Sequence, residues 1–209
     1  MNNNLDLKQT ERNSFKLSAY ADGTGDMSLG LMMILLGTYP ITRELFGVAY
    51  NILFFFVVMG LIIFAQIRIK AHLTPSRIGL VNFGQRMQRR MKVAVLVTFA
   101  LVCLTAAIWY LSAQGYMLPK SSIMGTYGVD ILIGVIVLAI FGAMAYTLEL
   151  TRYYFYGLLL GVSFPLPSIF PISDGLPTLL SGVVIVSIGA ILLVRFLAKY
   201  PAVAEAEEI

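Results

Sequence analysis

The run from Phe46 to Ile67, FGVAYNILFFFVVMGLIIFAQI, carries no charged residue, and Asn51 is the one strongly polar residue deep inside it. About 20 consecutive apolar residues are what a helix needs to cross ~30 Å of hydrocarbon. A helix satisfies its backbone hydrogen bonds internally, which lipid demands. This run therefore predicts a transmembrane helix, and it is not alone. Val93–Ser112, Val129–Leu148 and Thr178–Leu197 are apolar runs of similar length, with Asp130 and Arg195 the charges near their ends. Met27–Ile41 is a shorter version that ends at Pro40. Tyr153–Pro171 starts as a good helix, but Pro165, Pro167 and Pro171 cannot all sit in a regular one. It reads either as a short helix followed by an extended stretch or as a broken span.

Composition agrees. The chain is 58% hydrophobic and 12% charged, whereas soluble domains are about half apolar and about a quarter charged. The expected fold is an all-α polytopic membrane bundle of about six helices, at 27–41, 46–67, 93–112, 129–148, 153–171 and 178–197. They make up a membrane domain over 26–199. A polar segment, 1–25, precedes it and an acidic tail, 200–209, follows. The start of the chain lacks the basic-then-apolar pattern of a signal peptide, so the first span reads as one that is kept.

Orientation follows from charge. Residues 68–92, RIKAHLTPSRIGLVNFGQRMQRRMK, hold Arg68, Lys70, Arg77, Arg86, Arg89, Arg90 and Lys92 and no acid. Lys and Arg near span ends stay on the cytoplasmic side. With six spans and both ends inside, these cations join Lys8, Arg12, Lys16, Arg152, Arg195 and Lys199 in the cytoplasm. Only Arg43 and Lys120 fall outside. The sequence therefore predicts an N-in, C-in multi-pass protein of a cell membrane, such as a bacterial inner membrane. Within the basic loop, Gln85–Met91 has the spacing of a short amphipathic helix lying at the interface. Arg77, Arg86, Arg89, Arg90 and Lys92 are the candidate contacts for anionic lipid headgroups or for a partner protein.

Glycine spacing gives the second set of candidates. Gly30 and Gly37 stand seven apart in the first span, as do Gly182 and Gly189 in the last. Each pair lies on one helix face, and small residues let membrane helices approach closely. These four are expected to mediate helix packing, between spans or between copies in a homo-oligomer. Asp130 and Gly134 repeat the spacing of Asp26 and Gly30. That echo is compatible with an inverted repeat of the kind found in transporters or with ordinary helix packing.

The chemistry-bearing residues are sparse. Asp26 reads as the N-terminal capping residue of the first span, where a carboxylate meets the positive end of the helix dipole. Thr42-Arg43-Glu44 reads as a tight polar turn. His72, the one histidine, has no metal-binding motif around it and reads as a solvated loop residue. Cys103 stands alone inside an apolar run, which excludes an internal disulfide and a thiolate-rich metal site. No catalytic, cofactor-binding or metal-binding residues are expected, and nucleic acid is not an expected partner because the cations gather on one side.

Gly23-Thr24-Gly25-Asp26 resembles the GxGD string of intramembrane aspartyl proteases and prepilin peptidases. The resemblance implies a second aspartate in an earlier span, and there is none. Asp130 comes later and at the opposite membrane face in the expected topology. Two carboxylates so placed cannot share a water, so the expectation is a chain that is not an enzyme. More broadly, Tyr20-Ala21-Asp22-Gly23 leading to Leu29-Gly30 resembles a set of uncharacterised prokaryotic multi-pass membrane proteins. So do Pro75-Ser76-Arg77-Ile78-Gly79 and Arg195-Phe196-Leu197. That resemblance implies a membrane bundle and no activity. Two functions stay open: a non-enzymatic partner or regulatory component that docks through the basic loop, and a small transporter or permease subunit for a neutral or apolar substrate.

Overall fold

The computed structural model describes residues 22–73 and 123–200. Among them the secondary structure is helical, with no strand. The helices are α1 (Thr24–Gly37), α2 (Tyr39–Leu73), α3 (Ile123–Leu148), α4 (Arg152–Ser163), α5 (Leu166–Ile169) and α6 (Leu176–Lys199). Ala49–Leu73, Tyr127–Leu148 and Leu176–Lys199 are long and apolar enough to cross a membrane. The third, fifth and sixth readings of the sequence meet different fates: residues 93–112 lie outside the described residues, 153–171 is divided, and 178–197 is one helix. The chain separates into two compact units, residues 1–84 with 182–209, and residues 85–181.

In the first unit the sequence expectation for the entry to the bundle needs correction. α1 ends at Gly37 with Thr38 as its C-cap, and Pro40 stands in the first turn of α2, so the first helix is short as expected; it is the residues after Pro40 that differ. Thr38 keeps right-handed helical angles, and its N–H donates to the Ile34 carbonyl at 3.0 Å. The Thr42 N–H donates to the Thr38 carbonyl at 3.0 Å. Proline lacks a backbone donor, which the first turn of a helix does not need. Here Thr38 Oγ1 donates to the Leu35 carbonyl at 2.7 Å, and Thr42 Oγ1 to those of Thr38 and Tyr39. Thr42-Arg43-Glu44 is consequently helix and not a turn. The first arm of α2 runs over 39–46.

The reversal comes at Gly47, inside α2. Its φ of 74° and ψ of 170° fall in a region essentially reserved for glycine. Beyond it the chain runs back along the arm it came from. Asn51 Nδ2 donates to the Tyr39 carbonyl at 3.4 Å, and the Tyr39 and Phe55 rings meet edge to face at 5.3 Å. In a straight helix residues 39 and 51 would stand ~18 Å apart. Gly47→Ala is expected to lose about 2 kcal/mol, because the new Cβ strains a backbone that no side chain tolerates well. Thermal unfolding of the purified variant against Gly60→Ala checks this. At neither glycine would a Cβ meet an atom within 4 Å, so conformation alone separates them.

The basic stretch also begins differently from its expected form. α2 does not stop at Ile67. It carries Arg68, Lys70 and His72 on helix to Leu73. The apolar run gives way to cations at a helix C-terminus, where positive charge meets the negative end of the dipole. His72 is exposed on that last turn and is not a loop residue. The Arg68 guanidinium lies 5.2 Å from the Phe64 ring centroid, one turn back.

In the second unit α3 and α4 form an antiparallel hairpin. Glu149 joins them in a left-handed conformation, and the Leu150 N–H returns to the Ala145 carbonyl. This six-to-one bond is the usual way a helix closes when its next residue turns left-handed. The core between them holds Ala145, Leu148, Tyr153, Tyr156 and Leu160, all buried. The Phe141 and Tyr153 rings stack at 6.1 Å. Segment 153–171 resolves into twelve-residue α4, a turn at Phe164-Pro165, one-turn α5 and extended Phe170. α4 is ~18 Å long, short of the ~30 Å hydrocarbon core. The prolines thus produce the first of the two forms the sequence allowed, with a helical turn inside the irregular part.

Candidate functional site

Close packing in the first unit rests on glycine. A Cβ on Gly30 would stand 2.6 Å from the Val186 backbone nitrogen and 2.7 Å from the Gly182 carbonyl. One on Gly182 would stand 2.7 Å from the Ile34 nitrogen, and one on Gly189 2.6 Å from the Met27 nitrogen. Gly23, with φ of 69°, would meet the Gly189 carbonyl at 2.4 Å. So α1 and α6 run antiparallel with backbones touching, through Gly23 and Gly30 on one helix and Gly189 and Gly182 on the other. Gly37 is buried at the C-terminal end of α1. The second unit uses the same device, since a Cβ on Gly134 would meet the Gly161 carbonyl at 2.4 Å.

This packing holds the N-terminus of α1 in place, and a polar cluster gathers there. Gly23, not Asp26, is the N-cap residue of α1. Asp26 falls inside the first turn, fully buried. The reason is local: Gly23 alone can take the left-handed angle that starts the helix beneath Gly189. Asp22 is also fully buried, and its Oδ1 accepts the Thr24 N–H at 3.2 Å. That contact satisfies one of the backbone donors every helix start leaves over.

The opposite wall of the cluster is the cationic end of α2. Lys70 Nζ lies 3.7 Å from Asp22 Oδ2. Ser28 Oγ lies 2.8 Å from Gln66 Oε1 and 3.0 Å from the Gly25 carbonyl. Helical periodicity explains the grouping. Thr24 and Ser28 are four apart and share a face of α1, and Gln66 and Lys70 are four apart and share a face of α2. The two helices run antiparallel, so Asp22 meets Lys70 as Ser28 meets Gln66. Thr24 is 5% exposed, and its Oγ1 is buried without a hydrogen-bond partner.

Of the site residues expected from sequence, Arg77, Arg86, Arg89, Arg90 and Lys92 lie outside the described residues, as does the expected interfacial helix at 85–91. Gly30, Gly182 and Gly189 sit at the α1–α6 contact. Sequence reading missed Asp22, Thr24, Ser28, Gln66 and Lys70 as a group. A signal was available: Thr24 with Ser28 and Gln66 with Lys70 are polar pairs at helical spacing on the flanks of apolar runs. In the second unit the Ser168 hydroxyl donates to Asp130 Oδ2, which ties α5 back to α3. Among the described residues no three His, Cys, Asp or Glu side chains gather as a metal site. Comparison with family models, with curated proteins and with solved structures finds no match to this chain.

Proposed function

We propose that the chain is a non-enzymatic multi-pass membrane component that docks a cytoplasmic partner protein through its cationic segment 68–92. In this reading it crosses the cell membrane six times, with both termini inside, and anionic headgroups steady the docking segment. The observation that carries it is the single-sided charge: seven cations and no acid within residues 68–92, against Arg43 and Lys120 alone on the side read as outside. The helical run of α2 to Leu73 supports it, because Arg68 and His72 stand exposed past the apolar stretch. A polybasic segment at the membrane surface is attracted to anionic lipid by about 1 kcal/mol per cation. Such attraction supports a segment held at the surface, where a partner would meet it.

Substitution separates docking from mere orientation. Arg86, Arg89 and Arg90 are replaced together by Gln, and topology is read with reporters at Arg43 and Lys120. The expected result is unchanged insertion and topology with loss of the proteins that co-purify with the parent. A variant that inserts poorly or inverts, and keeps its partner in proportion to the inserted fraction, would show that the segment only sets orientation. A second reading is a small carrier for a neutral or apolar substrate. The polar cluster buried between α1 and α2 favours it, since buried polar groups at a span end offer a polar entry to the helix contact.

A further inference from the structure

We propose that the outward face of α2 holds one anionic phospholipid, with its phosphate on Arg68 and an acyl chain in the gap at Gly60 between Phe56 and Phe64. This site rests on the membrane location read above, but it stands on α2 and not on the segment beyond Leu73.

α2 turns one face to α1 and the rest outward. Asn51 and Phe55 are buried, and Gln66 and Lys70 reach Ser28 and Asp22 on α1. Phe56, Gly60, Phe64, Arg68 and His72 stand four apart, so they form one row along the helix. All five are exposed, Phe56 by 73% and Phe64 by 57%. Gly60 leaves the row a gap one side chain deep. A Cβ there would meet nothing within 4 Å, so no other part of the chain fills it.

The length of the row and its charged end decide the class of ligand. Phe56 to Arg68 spans ~18 Å, close to half of the ~30 Å hydrocarbon core. The apolar part is therefore about one leaflet deep, which fits one lipid. Arg68 heads it, with its guanidinium 5.2 Å from the Phe64 ring centroid. A guanidinium matches phosphate oxygens in a bidentate way. A zwitterionic lipid would bring its own cation to a place already positive, so charge complementarity favours an anionic one.

The surroundings add to that field. α1 runs antiparallel to α2 through Ser28 and Gln66, and to α6 through Gly23 and Gly189. The last turns of α2 and α6 consequently come to one end of the first unit. Arg195 and Lys199 stand exposed there. Asp22 and Asp26, the acids at that end among the described residues, are fully buried. The charge those residues show to the outside is thus positive.

The test uses the full-length protein in detergent, titrated with dioleoyl phosphatidylglycerol, dioleoyl phosphatidylcholine or sodium phosphate. Bound lipids are counted by native mass spectrometry, and Tm is followed alongside. The expected result is one phosphatidylglycerol that binds saturably and about tenfold tighter than phosphatidylcholine. Arg68→Gln should weaken it about tenfold, the worth of one charge-assisted contact. Gly60→Leu fills the gap, keeps every charge and should weaken it too. Arg86, Arg89 and Arg90 replaced together by Gln should retain it, so loss of the docked partner in that variant bears on the docking reading alone. The proposal is overturned if phosphatidylcholine binds as tightly, or if sodium phosphate alone raises Tm as much. It is equally overturned if Arg68→Gln or Gly60→Leu binds like the parent, or if the spectra show a dimer in place of the bound lipid. That last outcome would assign the face to a second copy of the chain.

Discussion

Gly30→Ala is expected to lower the unfolding temperature sharply, and Gly182→Ala to match it. The new methyl on Gly30 meets the backbone nitrogen of Val186 at 2.6 Å and the backbone carbonyl of Gly182 at 2.7 Å. Neither atom can rotate away, so the helices must separate. Overpacking of this kind costs about 3 kcal/mol. Against it stands the gain of helix propensity from Gly to Ala, about 1 kcal/mol. The clash wins, and a net loss of about 2 kcal/mol is expected. Gly60→Ala supplies the opposite sign. It has the same propensity gain, in a helix where nothing lies within 4 Å of the added carbon. If Gly30→Ala and Gly60→Ala move Tm in the same direction, the α1–α6 contact does not carry the first unit.

Much of this arrangement is legible in the sequence, and what is not has a physical cause. Apolar runs such as 46–67 and 178–197 announce helices because length and hydropathy are local properties. Seven-residue glycine spacing puts Gly182 and Gly189 on one face for the same reason. It does not reveal the facing helix, since that depends on register over more than 150 positions. The pairing of Gly189 with Gly23 was hidden further because Gly23 looks like part of a break before the helix. The turn expected at Thr42-Arg43-Glu44 is helix for a physical reason. Pro40 stands in the first turn of α2, where a missing donor costs little, and the chain reverses only at Gly47, whose φ of 74° no local pattern announces. Asp22 and Lys70 lie far apart in sequence and flank different apolar runs. Each looked like an ordinary charge at a span end, and only the antiparallel register brings them to one place.

That register makes Lys70→Met the second large effect, and its sign depends on what remains behind. Removing one partner of a buried ion pair costs about 3–5 kcal/mol, most of it from the charge left alone. Lys70 is a third exposed, so a loss at or below the low end of that range, about 2–3 kcal/mol, is expected here. Asp22→Asn should cost less, about 1 kcal/mol. The amide oxygen can still accept the Thr24 N–H, and Lys70 can reach the interface. The informative variant is the double one. Asp22→Asn with Lys70→Met leaves no buried charge of the pair, and should be no worse than Asp22→Asn alone. The coupling read from such a cycle should thus be about 2 kcal/mol and favourable. Additive losses would mean that Asp22 is neutralised by something other than Lys70.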